Sequence, residues 1–257
     1  VKLAIIGGSL FNEIHGLQHA TEEHIKTPFG EPSASLIMGQ VNDLDIVFLN
    51  RHGVIHNLEP HQINYRANMF ALKLLDVTHI IAIAAVGGIT DKMPPLRCVV
   101  PDQIIDYTYG RMQTFNDGYE DEVTHIDFSY PYDEAIRNRL IHAAAECDVD
   151  CETRATYGVT QGPRLETVAE IKRMKRDGCD IVGMTGMPEA ALARELEMDY
   201  ANLSLVVNWA AGAGMAEGSD ADARQEIISM DEIRNLIIQG NGIVKRVIDS
   251  TIAAMTA

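Results

Sequence analysis

The sequence predicts an α/β fold: a single domain whose mixed central β-sheet is flanked by helices. Three observations carry that expectation. Short β-rich runs alternate with stretches of helical periodicity along the chain, the pattern of layered α/β proteins. Several of the β-rich runs are continuously apolar, as strands covered on both faces are. No Pro/Ser/Gly-rich linker or break in composition divides the 257 residues, of which 46% are hydrophobic. A chain of that length buries roughly 70–75% of its unfolded surface, so one large core is feasible.

Each element has its own warrant. Leu3–Ile6 and Asp45–Leu49 are apolar runs and read as strands. Pro60 suits a first helical position, and Ile63, Ala67, Phe70 and Leu74 then recur as one apolar helical stripe. His79–Ala85 and Cys98–Ile105 read as strands, and Tyr132–Cys147 as a helix. Thr156–Thr160 is a strand, and Thr167–Arg176 a helix stopped by Gly178. Asp180–Val182, a helix over Pro188–Leu196 and a strand over Ala201–Val207 follow. Ala210–Ala223, "AAGAGMAEGSDADA", reads as a loop, either a disordered connection or a lid. The last helix opens with a capping box from Ser229 to Glu232 and runs toward the C-terminus, weakened by Gly240 and Gly242.

Charge and composition narrow the function. Lys and Arg number 21 against 37 Asp and Glu, a net charge of −16. Such a chain has no electrostatic footprint for nucleic acid or an anionic membrane. No apolar run approaches the length of a membrane span, and "VKLAIIGGSL" lacks the pattern of a signal peptide. Cys98, Cys147, Cys151 and Cys179 form no Cys-x-x-Cys pair, and a reduced, cytoplasmic setting is the simplest expectation. His52 and His56 are four apart, but no Cys/His/Asp set completes a metal site, so no metal is expected. Neither a Gly-x-Ser-x-Gly elbow nor an activated cysteine offers a covalent nucleophile.

The informative residues cluster where strands end, the place where open α/β sheets bind ligands. "IIGGSL" runs a strand into a glycine turn with Ser9 as a hydroxyl donor. The turn is either ordinary or an anion cradle, and it is no dinucleotide fingerprint, which needs a third glycine at fixed spacing. "FLNRHG" puts Arg51 and His52 at a strand tip. The Arg fork matches phosphate oxygens as well as it matches a carboxylate. "IAAVGG" leaves room for a ligand against backbone, or simply packs closely. Glu166, in "TQGPRLETVAE", sits near a helix start, where an acid complements the dipole. It could instead accept a ligand N–H. Thr185, in "VGMTGMPE", is a candidate phosphate donor near a helix N-terminus, and Met184 beside it reads first as core. "LVVNWAAG" ends a buried run in Asn208, a turn former or a ligand-facing amide.

Taken together, "IIGGSL", "RHG", "HQINYRAN", "AAVGG", "VTHIDFSYPYD", "TQGPRLETVAE" and "GMTGMPEAALARE" resemble, in order and spacing, the trimeric purine nucleoside phosphorylase family in its methylthionucleoside branch. The resemblance spans the whole chain. It implies the nucleoside phosphorylase fold and a transfer of ribose from purine to inorganic phosphate, with no cofactor or metal. It also implies a homotrimer. The family's phosphate site maps onto Ser9, Arg51, His52 and Thr185, with backbone at Ala84 and Ala85; Ala84 stands where the methylthioadenosine enzymes commonly have Thr. Met184 would lie under the ribose. Glu166 and Asn208 would face the base, with Trp209 and Ala210 beside them. Met230 and Ile233 would contact the 5′ group, and His125 would reach it from a neighbouring subunit.

Three of these positions bear on the base. Asn208 has both a donor and an acceptor, suited to a six-oxo oxygen and a protonated N7, where the methylthioadenosine enzymes carry Asp. Ala210 replaces a second Asp of those enzymes. Glu166 would accept from N1–H, which adenine lacks. Hypoxanthine is therefore the expected base, and methylthioinosine the expected substrate. Methylthioadenosine and general six-oxopurine nucleosides are the alternatives.

Overall fold

The structure, a computed structural model, describes residues 1–14, 16–117, 124–214 and 229–256. Its frame is one mixed sheet of eleven strands. At the centre β1 (Lys2–Gly7) lies parallel between β4 (Leu44–Asn50) and β5 (His79–Gly88). The long β11 (Asp199–Trp209) runs parallel along the other edge of β5.

Alternation of side chains along these strands divides the interior into two cores. Ala4, Ile6, Ile80, Ala82 and Ala84 face α1 (Tyr65–Leu74) and α4 (Glu189–Glu195). Leu3, Ile5, Ile81 and Ile83 face α2 (Glu134–Glu146) and α5 (Met230–Thr256). Each fully buried Leu or Ile contributes about 1.5–3 kcal/mol relative to leaving it in water. α3 (Val168–Asp177) closes a smaller cluster with Ile171 and Met174.

The sheet forks along β5, and the fork makes the site. The ladder with β1 ends at Ala82. Antiparallel pairing with β10 (Ile181–Gly183) begins on the same edge only at Gly87. Between them Ile83–Val86 borders a gap. Backbone groups alternate between the two edges of a strand, and Ile83 offers its carbonyl to Arg51 while Ile89 donates its N–H to Asp180, both on the gap side. Ala85 shares their parity, so its N–H faces the gap as well. Beyond β10 the sheet continues through β9 (Thr156–Val159) to β7 (Gln103–Asp106).

Four expectations change. The run Cys98–Ile105 is two strands, β6 (Cys98–Val99) and β7, which pair with different partners. Pro101 between them has no N–H to give a ladder. The helix after Pro60 begins at Tyr65, because Asn64 accepts from the Ala67 N–H as its cap. Its buried face is accordingly Tyr65, Ala67, Asn68, Met69, Ala71 and Leu72, and Leu74 of the expected stripe is 52% exposed. The strands β2 (Gln18–Glu23), β3 (Leu36–Val41) and β8 (Cys151–Glu152) lie outside the expected strands. β2 is an edge strand with every residue exposed. Gly240 does not merely weaken α5: a Cβ there would lie 1.9 Å from Leu205 Cδ2, so the glycine lets helix and strand approach.

Other helix signals hold. Thr167 and Glu170 form the reciprocal capping box of α3, and Ser229 Oγ accepts from the Glu232 N–H at the start of α5. Of the loop expected at Ala210–Ala223, residues 215–223 lie outside the described residues. Among the described residues no helix is long and apolar enough to cross a membrane.

Candidate active site

At the fork lies a cavity of about 400 Å³. Its walls come from the tips of β1, β4, β5, β10 and β11, the loop after β4 and the first turns of α5. Ser9, Arg51, His52, Ala84, Ala85 and Thr185 line one end of the expected site, and Met184, Glu166, Asn208, Met230 and Ile233 join them around the same cavity.

Arg51 forms the floor and is 1% exposed. Its fork is not free: Nε and Nη2 donate to the two oxygens of Glu189 at 2.8 and 2.7 Å. Tyr200 donates its hydroxyl to the same carboxylate at 2.8 Å. Burial works against the charge of Arg51, but the charge and hydrogen bonds of Glu189 more than offset it, and the guanidinium is held well above its ordinary pKa. The fork is thus paired with a carboxylate, the other of the two partners the sequence leaves open. Nη1 donates to the Ile83 carbonyl at 2.9 Å and lies beside Gly8, and Arg51 is part of the cavity wall.

His52 Nδ1 lies 2.9 Å from the Leu58 carbonyl. A carbonyl can only accept, so that nitrogen carries the proton and Nε2 remains an acceptor. Burial, then the nearby Arg51 charge, push the His52 pKa down to about 4 against the opposing Leu58 bond; the ring is neutral at pH 7. His56 lies against it with the rings tilted by 44° and centroids 4.5 Å apart, and shares a hydrogen bond with Ser9 at 3.2 Å. Among the described residues no group of three His, Cys, Asp or Glu is placed to hold a metal ion.

At the base end, Glu166 is not a helix-capping acid. Thr167 and Glu170 already satisfy the helix start, and Thr160 Oγ1 holds one Glu166 oxygen at 2.6 Å, leaving the carboxylate on the cavity wall. Asn208 is aimed by a β-bulge: β11 shifts register between Val206 and Asn208, so Asn208 stands opposite Gly87. Bulges commonly re-aim side chains at sites. A Cβ on Gly87 would sit 3.4 Å from Asn208 Nδ2 and 3.3 Å from Val182, so this close approach favours glycine. Asn208 donates one amide N–H to the Trp209 carbonyl at 2.7 Å, which fixes the amide and leaves a second N–H and the oxygen.

Three expected residues are not on this cavity's wall. Trp209 packs against the turn at Gly214. Ala210 donates to the Gly88 carbonyl at 2.9 Å and turns its methyl into the core with Ile171 and Met174. His125 is exposed and does not reach the cavity of its own chain. Conversely, Leu58 and Ile237 line the cavity, and Thr160, Glu189 and Tyr200 stand behind it, without having stood out in the sequence. Glu189 had one signal, an acid after Pro188 at a helix start, which reads as an ordinary dipole partner.

Comparisons with known proteins agree with this architecture. The model of the phosphorylase superfamily matches residues 2–238. A probable S-methyl-5′-thioinosine phosphorylase of Pseudomonas syringae pv. tomato is 49% identical over 251 residues, 98% of either chain. The 6-oxopurine nucleoside phosphorylase of Pyrococcus furiosus is 47% identical over 216 residues, 82% of this chain and 80% of that one. The methylthioadenosine phosphorylase of Schistosoma mansoni in complex with adenine superposes with a TM-score of 0.89 at 31% identity, covering 99% of this chain and 92% of that one. This chain belongs to the phosphorylase superfamily.

Proposed function

We propose that this chain catalyses the phosphorolysis of S-methyl-5′-thioinosine, releasing hypoxanthine and 5-methylthioribose 1-phosphate. The observation that carries the reading is the pairing at the base end: a bulge-aimed amide, Asn208, with a carboxylate, Glu166, that the helix does not use. A six-oxopurine offers N1–H to the carboxylate, and its oxygen and N7 to the amide. Relatives named for thioinosine and for 6-oxopurine nucleosides support the same base. At the other end Met230, Ile233 and Ile237 offer apolar contact and no hydrogen bond, which favours a methylthio group over a 5′-hydroxyl.

The step is an exchange of one bond for another. The C1′–N9 bond breaks, the ribose gains positive character and the purine gains negative charge. A phosphate hydroxyl oxygen then bonds C1′ and loses its proton, and the purine takes up one proton, so the exchange balances. Phosphate is the co-substrate; no cofactor or metal enters this reading. Ser9, Thr185, the Ala85 N–H and the Arg51 Nη1 edge hold the phosphate, with His52 accepting from a phosphate hydroxyl. Ala84 lines the same wall, and Met184 lies under the ribose. Asn208 stabilises the departing base by donating its second amide N–H to the six-oxo oxygen, where charge gathers, while its oxygen accepts from the protonated N7. A preorganised donor of that kind is typically worth roughly 3–4 kcal/mol of the barrier.

We read the chain as one domain working as a cytoplasmic homotrimer. Val54 and Ile55, 76% and 80% exposed, flank the cavity residues of the β4 loop, and Tyr130, 76% exposed, follows His125. Such apolar exposure supports coverage by another copy, and would let His125 serve a neighbour's 5′ pocket.

The test is a panel of methylthioinosine, methylthioadenosine, inosine and adenosine with phosphate. Methylthioadenosine leaves buried polar groups unpaired, so kcat/KM should favour methylthioinosine at least about a hundredfold. Inosine, differing by one small apolar contact of about 1–3 kcal/mol, should be poor but not excluded. A ratio near one between the two thionucleosides would remove the base assignment. Equal turnover of inosine and methylthioinosine would remove the role of Met230 and Ile233.

A further inference from the structure

Arg111, on the loop after β7, lies behind the cavity rather than on its wall. Nearly all of its donors are spent on the backbone that carries the cavity's side chains. Nη1 donates to the Met184 carbonyl at 2.9 Å and also reaches the Met187 carbonyl. These two residues bracket Thr185. Nη2 donates to the Gln161 carbonyl at 2.9 Å and approaches that of Thr160 at 3.3 Å. Nε donates to the Gln161 side chain at 3.2 Å. The guanidinium lies 5.4 Å over the Tyr65 ring, whose hydroxyl donates to the carbonyl of Pro60, a cavity residue.

Thr160 and Met184 belong to the tips of neighbouring strands, and their side chains serve different ends of the site. Thr160 holds Glu166 at 2.6 Å. Met184 and Thr185 line the cavity directly. We propose that Arg111 is the positioning residue that fixes the Glu166 carboxylate and the Met184–Thr185 wall relative to one another. The proposal rests on the phosphorolysis reading for what the two walls bind. A lysine cannot replace Arg111, because a point charge with three donors does not reproduce a planar fork of five. If the walls slip by about 1 Å, the reacting groups lose alignment, which costs on the order of a hundredfold in rate.

The experiment compares wild type with Arg111→Lys and Arg111→Ala. Trp209, the only tryptophan, holds the Asn208 amide through its carbonyl, so hypoxanthine binding can be followed by its fluorescence, without turnover. Arg111→Lys should lower kcat/KM about a hundredfold and weaken hypoxanthine binding, while its melting temperature stays near that of wild type. Arg111→Ala should regain activity and hypoxanthine binding on addition of methylguanidinium, and not of methylammonium. Kinetics and binding within threefold of wild type in both variants would overturn the proposal. So would a loss of activity that tracks loss of folded protein and is not rescued. Wild-type protein that binds hypoxanthine but releases none from methylthioinosine and phosphate would overturn the phosphorolysis reading instead, and the binding arm would still judge Arg111.

Discussion

Arg51 and Glu189 are 138 residues apart in sequence, and each is 1% exposed. Removing one member of such a pair strands a buried charge, which typically costs about 3–5 kcal/mol. Arg51→Ala should therefore lose that much stability in urea unfolding as well as raising the phosphate KM. A variant as stable as wild type would contradict the buried pair. The clean test of phosphate binding is Arg51→Met with Glu189→Gln, which removes both charges and should cost little; an unchanged phosphate KM in that variant would remove Arg51 from the phosphate site. His52 gives a pH signature. Its pKa is about 4 in the folded chain against about 6.5 in an unfolded one. The unfolded state thus binds the extra proton first, so stability falls as pH drops from about 6.5 toward 4 and the loss levels off below. Full expression of the shift is worth up to about 3 kcal/mol. Wild type minus His52→Asn, in unfolding curves at pH 7 and pH 4.5, should expose this slope; parallel curves would show that His52 titrates normally.

At the level of elements, the site depends on how closely α5 packs on β11. The two helix glycines should answer oppositely to the same substitution. A Cβ on Gly240 meets Leu205, while one on Gly242 meets nothing within 4 Å. Leu205 is fully buried and has little room to yield. Gly240→Ala should lower stability by about 1–3 kcal/mol through overpacking. Gly242→Ala should raise it by up to about 1 kcal/mol through helix propensity. Calorimetric melting of the two variants checks both, and equal shifts would mean that α5 does not sit where it is described. Met230, Ile233 and Ile237 all project from the start of this helix, so Gly240→Ala should also disturb 5′-group selectivity, which Gly242→Ala should leave alone.

For the whole molecule the decisive property is assembly. One chain presents the apolar side chains of Val54, Ile55 and Tyr130 to solvent, and its own His125 stays away from its cavity. Light scattering at assay concentration should return three times the monomer mass. His125→Ala should weaken discrimination for the 5′-methylthio group while leaving the trimer and its melting temperature intact. A fully active monomer would end the shared-site reading.

The sequence by itself determined the α/β class, the central strands and the strand tips that meet around the cavity. It could do so because those signals are local. A continuous apolar run marks a strand covered on both faces, and an abrupt change to Gly, Asn or Arg marks its tip; "IIGGSL", "FLNRHG" and "LVVNWAAG" each carry both. The tertiary structure alone decided partners. Nothing near Arg51 in sequence says that its fork is given to Glu189, and nothing near Glu166 says that Thr160 rather than a helix end holds it. The buried face of α1 turned away from the expected stripe because Asn64 set its start and α4 packs against it. β2 was silent because an exposed edge strand needs no apolar pattern. The gap beside Ala85 arises from where two neighbours of β5 stop and start pairing, a property of three strands that no one of them encodes.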